Sequence, residues 1–469
     1  MEAAERAGPQ GLAFIARGEA RATRIARAAQ ALAPAAMVVR QLPGWDCLPF
    51  DRVSPSRAVM GARMSAALAL AEAGGAPRLL VLSVEAALQR LPRPEPAAWL
   101  RLERGGSFDP DALRRDLSRL GYLFDERVDE PGEATIHGGV ADLFPADAPD
   151  GAAWRLRHED GRILEITRLD VVTQRSLDAR IEAVELGPAS EIVFAMEEAE
   201  RERPPGPEHA LPAMAGELVA PLDLLPRAPV VLDADAEERI GQRPAEVREA
   251  HAARRAMAAQ PGLPPLPPPE ALYLDATSLE GRSVIRVRDV EEAGAALPSF
   301  AQDADPEAAF IAYAAARRAE GVRIALAGGI GRGARRLLHR LSEAVGAAPQ
   351  SVDGWPGLLH APPGTIALLG RAPDHEGFAT PEAVVVPLSA VRPQATPAGA
   401  NGAADALVAA GAALQPGDAV IHLDHGLAAL RGIEAVEAGG ASLDCARLDF
   451  ADASRLVPFD EFDRLWRYG

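Results

Sequence analysis

Apolar residues along the chain fall into two alternating spacings, and the spacing predicts the elements. Residues 13–32 have an arginine-studded helical period, 37–40 a short apolar strand, 57–73 a second helix and 79–82 a buried strand. Strands alternating with helices imply an open α/β layer. Asp109 and Pro110 suit a helix N-cap and first position, and Gly121 a C-terminal stop, so 110–120 is read as a short helix. From Tyr122 to Arg180 the pattern turns strand-rich, with Gly138-Gly139 and Asp160-Gly161 as turns, which predicts a small antiparallel sheet. Residues 190–256 are rich in Glu and Arg and show no dominant period. The proline-rich stretch 261–270 reads as a stiff spacer. Alternation resumes over 284–390, with strands at 323–327, 365–369 and 383–387 and a helix at 334–345. A linker of Pro, Ala and Gly follows, and the last fifty or so residues read as short strands with glycine turns, a small barrel.

Length and composition narrow what this pattern can be. At about 150 residues per domain, 469 residues imply three or four cores, and a 48% hydrophobic content supplies them. No run of 18 apolar residues occurs, and the acidic start MEAAERAGPQ lacks a signal peptide's apolar stretch. Cys47 and Cys445 stand far apart, offering neither a disulfide framework nor a zinc cluster, so a cytoplasmic protein is expected. All 49 basic residues are arginine. Without lysine, neither a phosphate loop of the P-loop type nor a pyridoxal phosphate Schiff base can form. The net charge of −18 argues against bulk affinity for DNA and makes a protein the first-choice partner.

Each candidate for chemistry has a plainer explanation. GGIGRG at 328–333 opens a helix after a strand but lacks the dinucleotide-binding spacing and the later acidic residue, so it reads as a strand-to-helix turn. In HLDH at 422–425 the two histidines would face opposite sides of a strand, so a turn is favoured over a metal site. Ser83, Ser176 and Ser190 lack a nucleophile elbow. The acidic run with Glu197, Glu198, Glu200 and Glu202 reads as a solvated face. No catalytic residue, cofactor site or metal site is assigned, and an adaptor is the expected class.

Three stretches in order carry a resemblance. LPGWDCLPFDRVSPS at 42–56, followed by Arg63 and Met64, resembles a segment of the UvrB-like module of bacterial transcription-repair coupling factors. GGVADLFPADAP at 138–149 with TQRSLD at 173–178 is similar to the UvrA-binding domain of that family. Residues 416–469 resemble its CarD-type RNA-polymerase-interacting domain. The resemblance implies a multidomain α/β and α+β fold, the UvrB-like module, followed by a small all-β Tudor/CarD-like barrel. It divides the chain into a UvrB-like α/β domain (1–100), a UvrA-binding-like domain (101–190), the remainder of the module with its proline-rich connector (191–283), a further α/β domain (284–391), a linker (392–415) and the polymerase-interacting domain (416–469).

The resemblance also implies partners and sites. Ile433, Glu434 and Val436, on the strand after the His-Gly turn, are expected to meet the RNA polymerase β subunit. His137, Arg155 and Glu159 are the expected UvrA-binding positions. There His137 replaces the family's usual arginine, Arg155 keeps one, and His158-Glu159 replaces an aromatic pair; both changes are expected to weaken UvrA binding. ARGEARATR at 16–24 retains nothing phosphate-binding. The family continues into a helicase-type motor beyond the position of Gly469, so a non-enzymatic adaptor with weak or indirect DNA contact is expected, with a separately encoded motor as a further partner. The alternative is a CarD-like transcription regulator that binds polymerase alone.

Overall fold

The computed structural model describes residues 2–148, 151–195, 203–204, 206–257, 265–287, 297–300, 303, 305–328, 332–371, 377–391, 417, 419–422, 426–438, 441–450, 453–458 and 465–467; at 2, 97, 332–334, 433, 435–438, 441–444, 458 and 465–467 only the backbone is described. Outside them fall residues 329–331 of the glycine-rich turn, most of HLDH, the acidic run at 197–202, the start of the proline-rich spacer and the linker at 392–415.

The first sheet is parallel throughout, in the order Val284–Arg286, Val230–Leu232, Leu12–Ala16, Arg78–Ser83, Val38–Leu42. Leu12–Ala16 corrects the sequence reading, which ran a helix from 13 to 32. Its five residues, LAFIA, are too short an apolar run to fix a period, and parallel pairing on both sides decides for a central strand. The helix begins only at Glu19 and ends at Leu32. Two of the five strands come from the stretch around 190–286, most of which showed no dominant period. Val230–Leu232 is three residues long, a signal too brief to read, and the helix Ala236–Arg255 that follows buries only Ala236, Ile240 and Val247.

Between the two halves of this sheet the chain makes a second unit. Leu100–Glu103 pairs antiparallel with Ala183–Leu186, so the outgoing and returning chain are stitched together at its base. Above that base lies a six-stranded sheet in the order Arg175–Arg180, Arg162–Asp170, Ala153–Glu159, Val140–Leu143, Glu133–His137, Leu123–Phe124. One face packs on the helix Pro110–Leu120, whose Leu113, Leu117 and Leu120 repeat at helical spacing toward Leu143, Leu156 and Ile166. Asp109 caps that helix through the Asp111 and Ala112 amides, and Gly121, at φ 92°, ends it in the left-handed region, as the sequence predicted.

A third unit repeats the α/β pattern, in the order Gln350–Ser351, Ile366–Leu369, Arg323–Ala327, Ala383–Pro387, Phe378–Ala379, with only the last strand antiparallel. It abuts the first: Leu32 packs in the cluster of Leu358, Leu369 and Val385, and the Ala35 amide donates to Asp353 Oδ1 at 2.7 Å. The last unit is a five-stranded antiparallel sheet in the order Ser454–Pro458, Ala441–Phe450, Gly426–Ala438, Ala419–His422, Leu465–Arg467.

Candidate interaction surfaces

The stretch 42–56 is structural. Trp45, Cys47 and Phe50 are buried with Ile192, Phe194 and Tyr273 where the second unit rejoins the first. Trp45 Nε1 donates to Glu191 Oε1 at 2.9 Å, and Arg63 Nε reaches the same oxygen at 2.5 Å, both partners of that ion pair having 0% side-chain exposure. Arg63 also donates to the Pro43 carbonyl. The remaining Arg63 hydrogens reach the Pro43 and Arg90 carbonyls, which offsets part of the desolvation cost of so buried a pair. Beside it the His209 imidazole is pushed below its ordinary value by burial, and burial, then nearby carboxylates, push the Cys47 thiol well up, which leaves it unreactive.

One face of the second unit's sheet is covered at one end, where Ala153 and Leu169 pack with Val128 and Phe144, and exposed toward the turns at 138–139 and 160–161. The two-residue turn at Gly138-Gly139 sets His137 opposite Val140 and Thr135 opposite Asp142; Asp142 in turn faces Arg155, and Val140 faces Arg157. Side chains alternate along each strand, so His137, Arg155 and Glu159 share this face, with His137 and Glu159 exposed at two neighbouring turns. Arg155 is bound bidentately to Asp142, 2.7 Å on each arm, and also donates to the Gln174 carbonyl. Arg157 and Arg180 both pair with Glu165. The face therefore carries three arginines already satisfied by two carboxylates. Asp142, Glu165 and Arg180 were missed as members of it. The signal was present: a two-residue turn fixes register, and register puts Asp142 beside Arg155.

His158 points the other way. It stacks on Phe108, ring centroids 3.9 Å apart, and covers the core, so the changed pair His158-Glu159 has one packing member and one exposed member.

In the last unit, Gly426–Ala438 pairs with Ala441–Phe450 over its length from Ala428, but with Ala419–His422 only as far as Ala429. Among the described residues no strand pairs with its far side beyond that point. Ile433, Glu434 and Val436 all lie on this overhang; the side chains of Ile433 and Val436 are outside the described residues. Glu434 is held by Arg447 across the strands, which keeps its carboxyl below the usual range.

The other candidates resolve quietly. Ser83 Oγ caps Val84–Ala87, Ser190 Oγ donates to Glu208, and Ser176 lies on the exposed outer strand. Among the described residues no group of three His, Cys, Asp or Glu could hold a metal, and no helix is long and apolar enough to cross a membrane.

Residues 100–192 match the UvrB interaction domain, and residues 414–469 match the CarD-like/TRCF RID domain. The chain is related to the transcription-repair coupling factors. It is 34% identical to the transcription-repair-coupling factor of Haemophilus influenzae over 32% of this chain, and 31% identical to that of Escherichia coli over 33%. With that of Mycobacterium bovis it shares 27% identity over 92% of its length. The chain spans 13% of the first two relatives and 40% of the third. In this chain the UvrB interaction match precedes the CarD-like match.

Proposed function

We propose that this coupling-factor relative is a non-catalytic, cytoplasmic adaptor. Its last unit binds the RNA polymerase β subunit, and its second unit binds UvrA weakly in transcription-coupled nucleotide excision repair. DNA contact is weak or indirect. The observation that carries the reading is the overhang of Gly426–Ala438, whose main-chain edge is unpaired by any strand among the described residues beyond Ala429 and suits an added strand from a partner, with side chains such as Val436 supplying fit. Val436→Arg would set an unpaired charge in such a contact; capture of purified β subunit is expected to fall at least about tenfold. Unchanged capture would remove the assignment.

A reading without the repair arm is favoured by one observation: Arg155 is bound bidentately to the buried Asp142 and is not free for a partner. Titrating UvrA against the wild type and against a His137→Arg, Glu159→Phe double variant separates the two. The adaptor reading expects measurable wild-type binding that tightens about tenfold, roughly 1.4 kcal/mol, in the double variant. No binding by either leaves a polymerase-only regulator.

A further inference from the structure

In an open parallel sheet, anionic ligands settle beyond the carboxyl ends of the strands where the strand order reverses. Here that place lies past Leu12–Ala16, with Arg78–Ser83 and Val38–Leu42 on one side and Val230–Leu232 on the other. The chain has put its own carboxyl there. Glu19, in the first turn of Glu19–Leu32, accepts from Gln41 Nε2 at 2.8 Å, from the Gly44 amide at 3.0 Å and from the Ser83 hydroxyl. The flanking charges are also matched internally: Arg21 clasps both oxygens of Asp233, and Arg239 donates twice to Glu85.

The Gly44 amide is the first link of a longer chain of contacts. Pro43, one residue before it, gives its carbonyl to Arg63, and Trp45, one residue after it, donates to Glu191. Glu191 lies in the segment through which the second unit returns to the first, between Ser190 and Ile192, all three buried. Loop 43–45 therefore has the first sheet's Glu19 carboxyl on one side and the second unit's root on the other.

We infer that Glu19 is a positioning residue: an internal carboxyl acceptor that fixes loop 43–45 and, through Trp45 and Glu191, sets how the second unit is held on the first. The crevice that binds ligands in related topologies serves here as an anchor for a partner-binding domain. This role is independent of which partner that domain takes.

Hydrogen exchange of the full chain, read by peptide, tests it. Glu19→Ala removes the acceptor of the Gly44 amide, and exchange over 43–47 is expected to accelerate about tenfold, the loss of one net hydrogen bond. Exchange over 189–194 is expected to rise with it, while strands 323–327 and 383–387 of the third unit stay as in the wild type. Trp45→Phe cuts the next link, and is expected to speed 189–194 while the Gly44 amide, still held by Glu19, keeps its protection. Acceleration confined to 19–47 in Glu19→Ala would overturn the inference. So would unchanged exchange at 189–194 in Trp45→Phe, which stands as the test should Glu19→Ala not fold.

Discussion

Two regions of this molecule are built from the same chemistry, arginine against carboxylate, and differ in where the pairs sit. At the root of the second unit Arg63 and Glu191 are wholly enclosed, with Trp45 sharing the same oxygen. On the outer face of that unit Arg157 and Arg180 hold Glu165 with most of each arginine side chain in water, while Arg155 with the buried Asp142 lies between the two cases. In the enclosed pair desolvation sets the scale: either partner alone is a stranded charge, so the pair is a structural commitment. At Arg157 and Arg180 water screens the charges and can replace the partner, so those pairs are weak and exchangeable. A partner arriving with its own carboxylates can take over those arginines at little expense. The contrast separates a residue that builds a surface from one that is part of it.

The largest effect that would break this contrast is at Arg63. Arg63→Ala is expected to destabilise the chain by about 3–5 kcal/mol, because Glu191 is left buried and unpaired. Denaturant unfolding measures it, and adding Glu191→Leu should recover a good part; no recovery would mean that the charge is not the cause.

Next is Gly61, where the helix Arg57–Glu72 meets the second unit. A Cβ there would come within 2.6 Å of Ala146 Cβ and 2.7 Å of its carbonyl carbon. Alanine is the better helix former by about 1 kcal/mol, but overpacking of this kind costs about 1–3 kcal/mol. Gly61→Ala should therefore lower the melting temperature; a rise would show that the two units separate readily.

Acid tests the enclosed region by another route. Burial holds His209 below its ordinary value, so the unfolded chain takes up the proton first. The stability tied to neutral His209 is complete above about pH 6.5 and is lost as the pH falls. The partly buried Glu19 and Asp147, both raised by desolvation, work in the opposite sense: what they contribute is complete below about pH 4 and wanes as the pH rises. His209→Gln should flatten the decline in denaturation midpoint between about pH 7 and 5.5, where the histidine dominates. An unchanged slope would place the acid sensitivity elsewhere.

On the outer face the effects shrink. Arg155→Ala frees Asp142, itself buried, from a bidentate partner and is expected to cost about 1–2 kcal/mol. Arg157→Ala, with most of its side chain in water, should stay within about 0.5 kcal/mol by the same thermal measurement. Equal losses at the two positions would erase the gradient from buried to exposed that the comparison rests on.

How much of this was legible beforehand follows from the range of the forces involved. The helix Pro110–Leu120, with its Asp109 cap and Gly121 stop, is written locally, and so are strands such as Arg323–Ala327 and Ala383–Pro387. The turns at Gly138-Gly139 and Asp160-Gly161 fix the register that brings His137, Arg155 and Glu159 to one face, so much of that surface was readable as well. The strand Leu12–Ala16 was not, because five apolar residues fit a helix or a strand, and only neighbours from 78–83 and 230–232 decide. Likewise the Arg63–Glu191 pair joins positions 128 residues apart, and its burial, which turns it from a surface contact into a root, exists only once the second unit has folded back on the first. Sequence alone determined the local elements, their turns, the missing lysine and the family resemblance, all set by short-range sterics and residue chemistry. Tertiary structure decided which strand is central and which charges are enclosed, because burial belongs to the assembled chain and to no stretch of it.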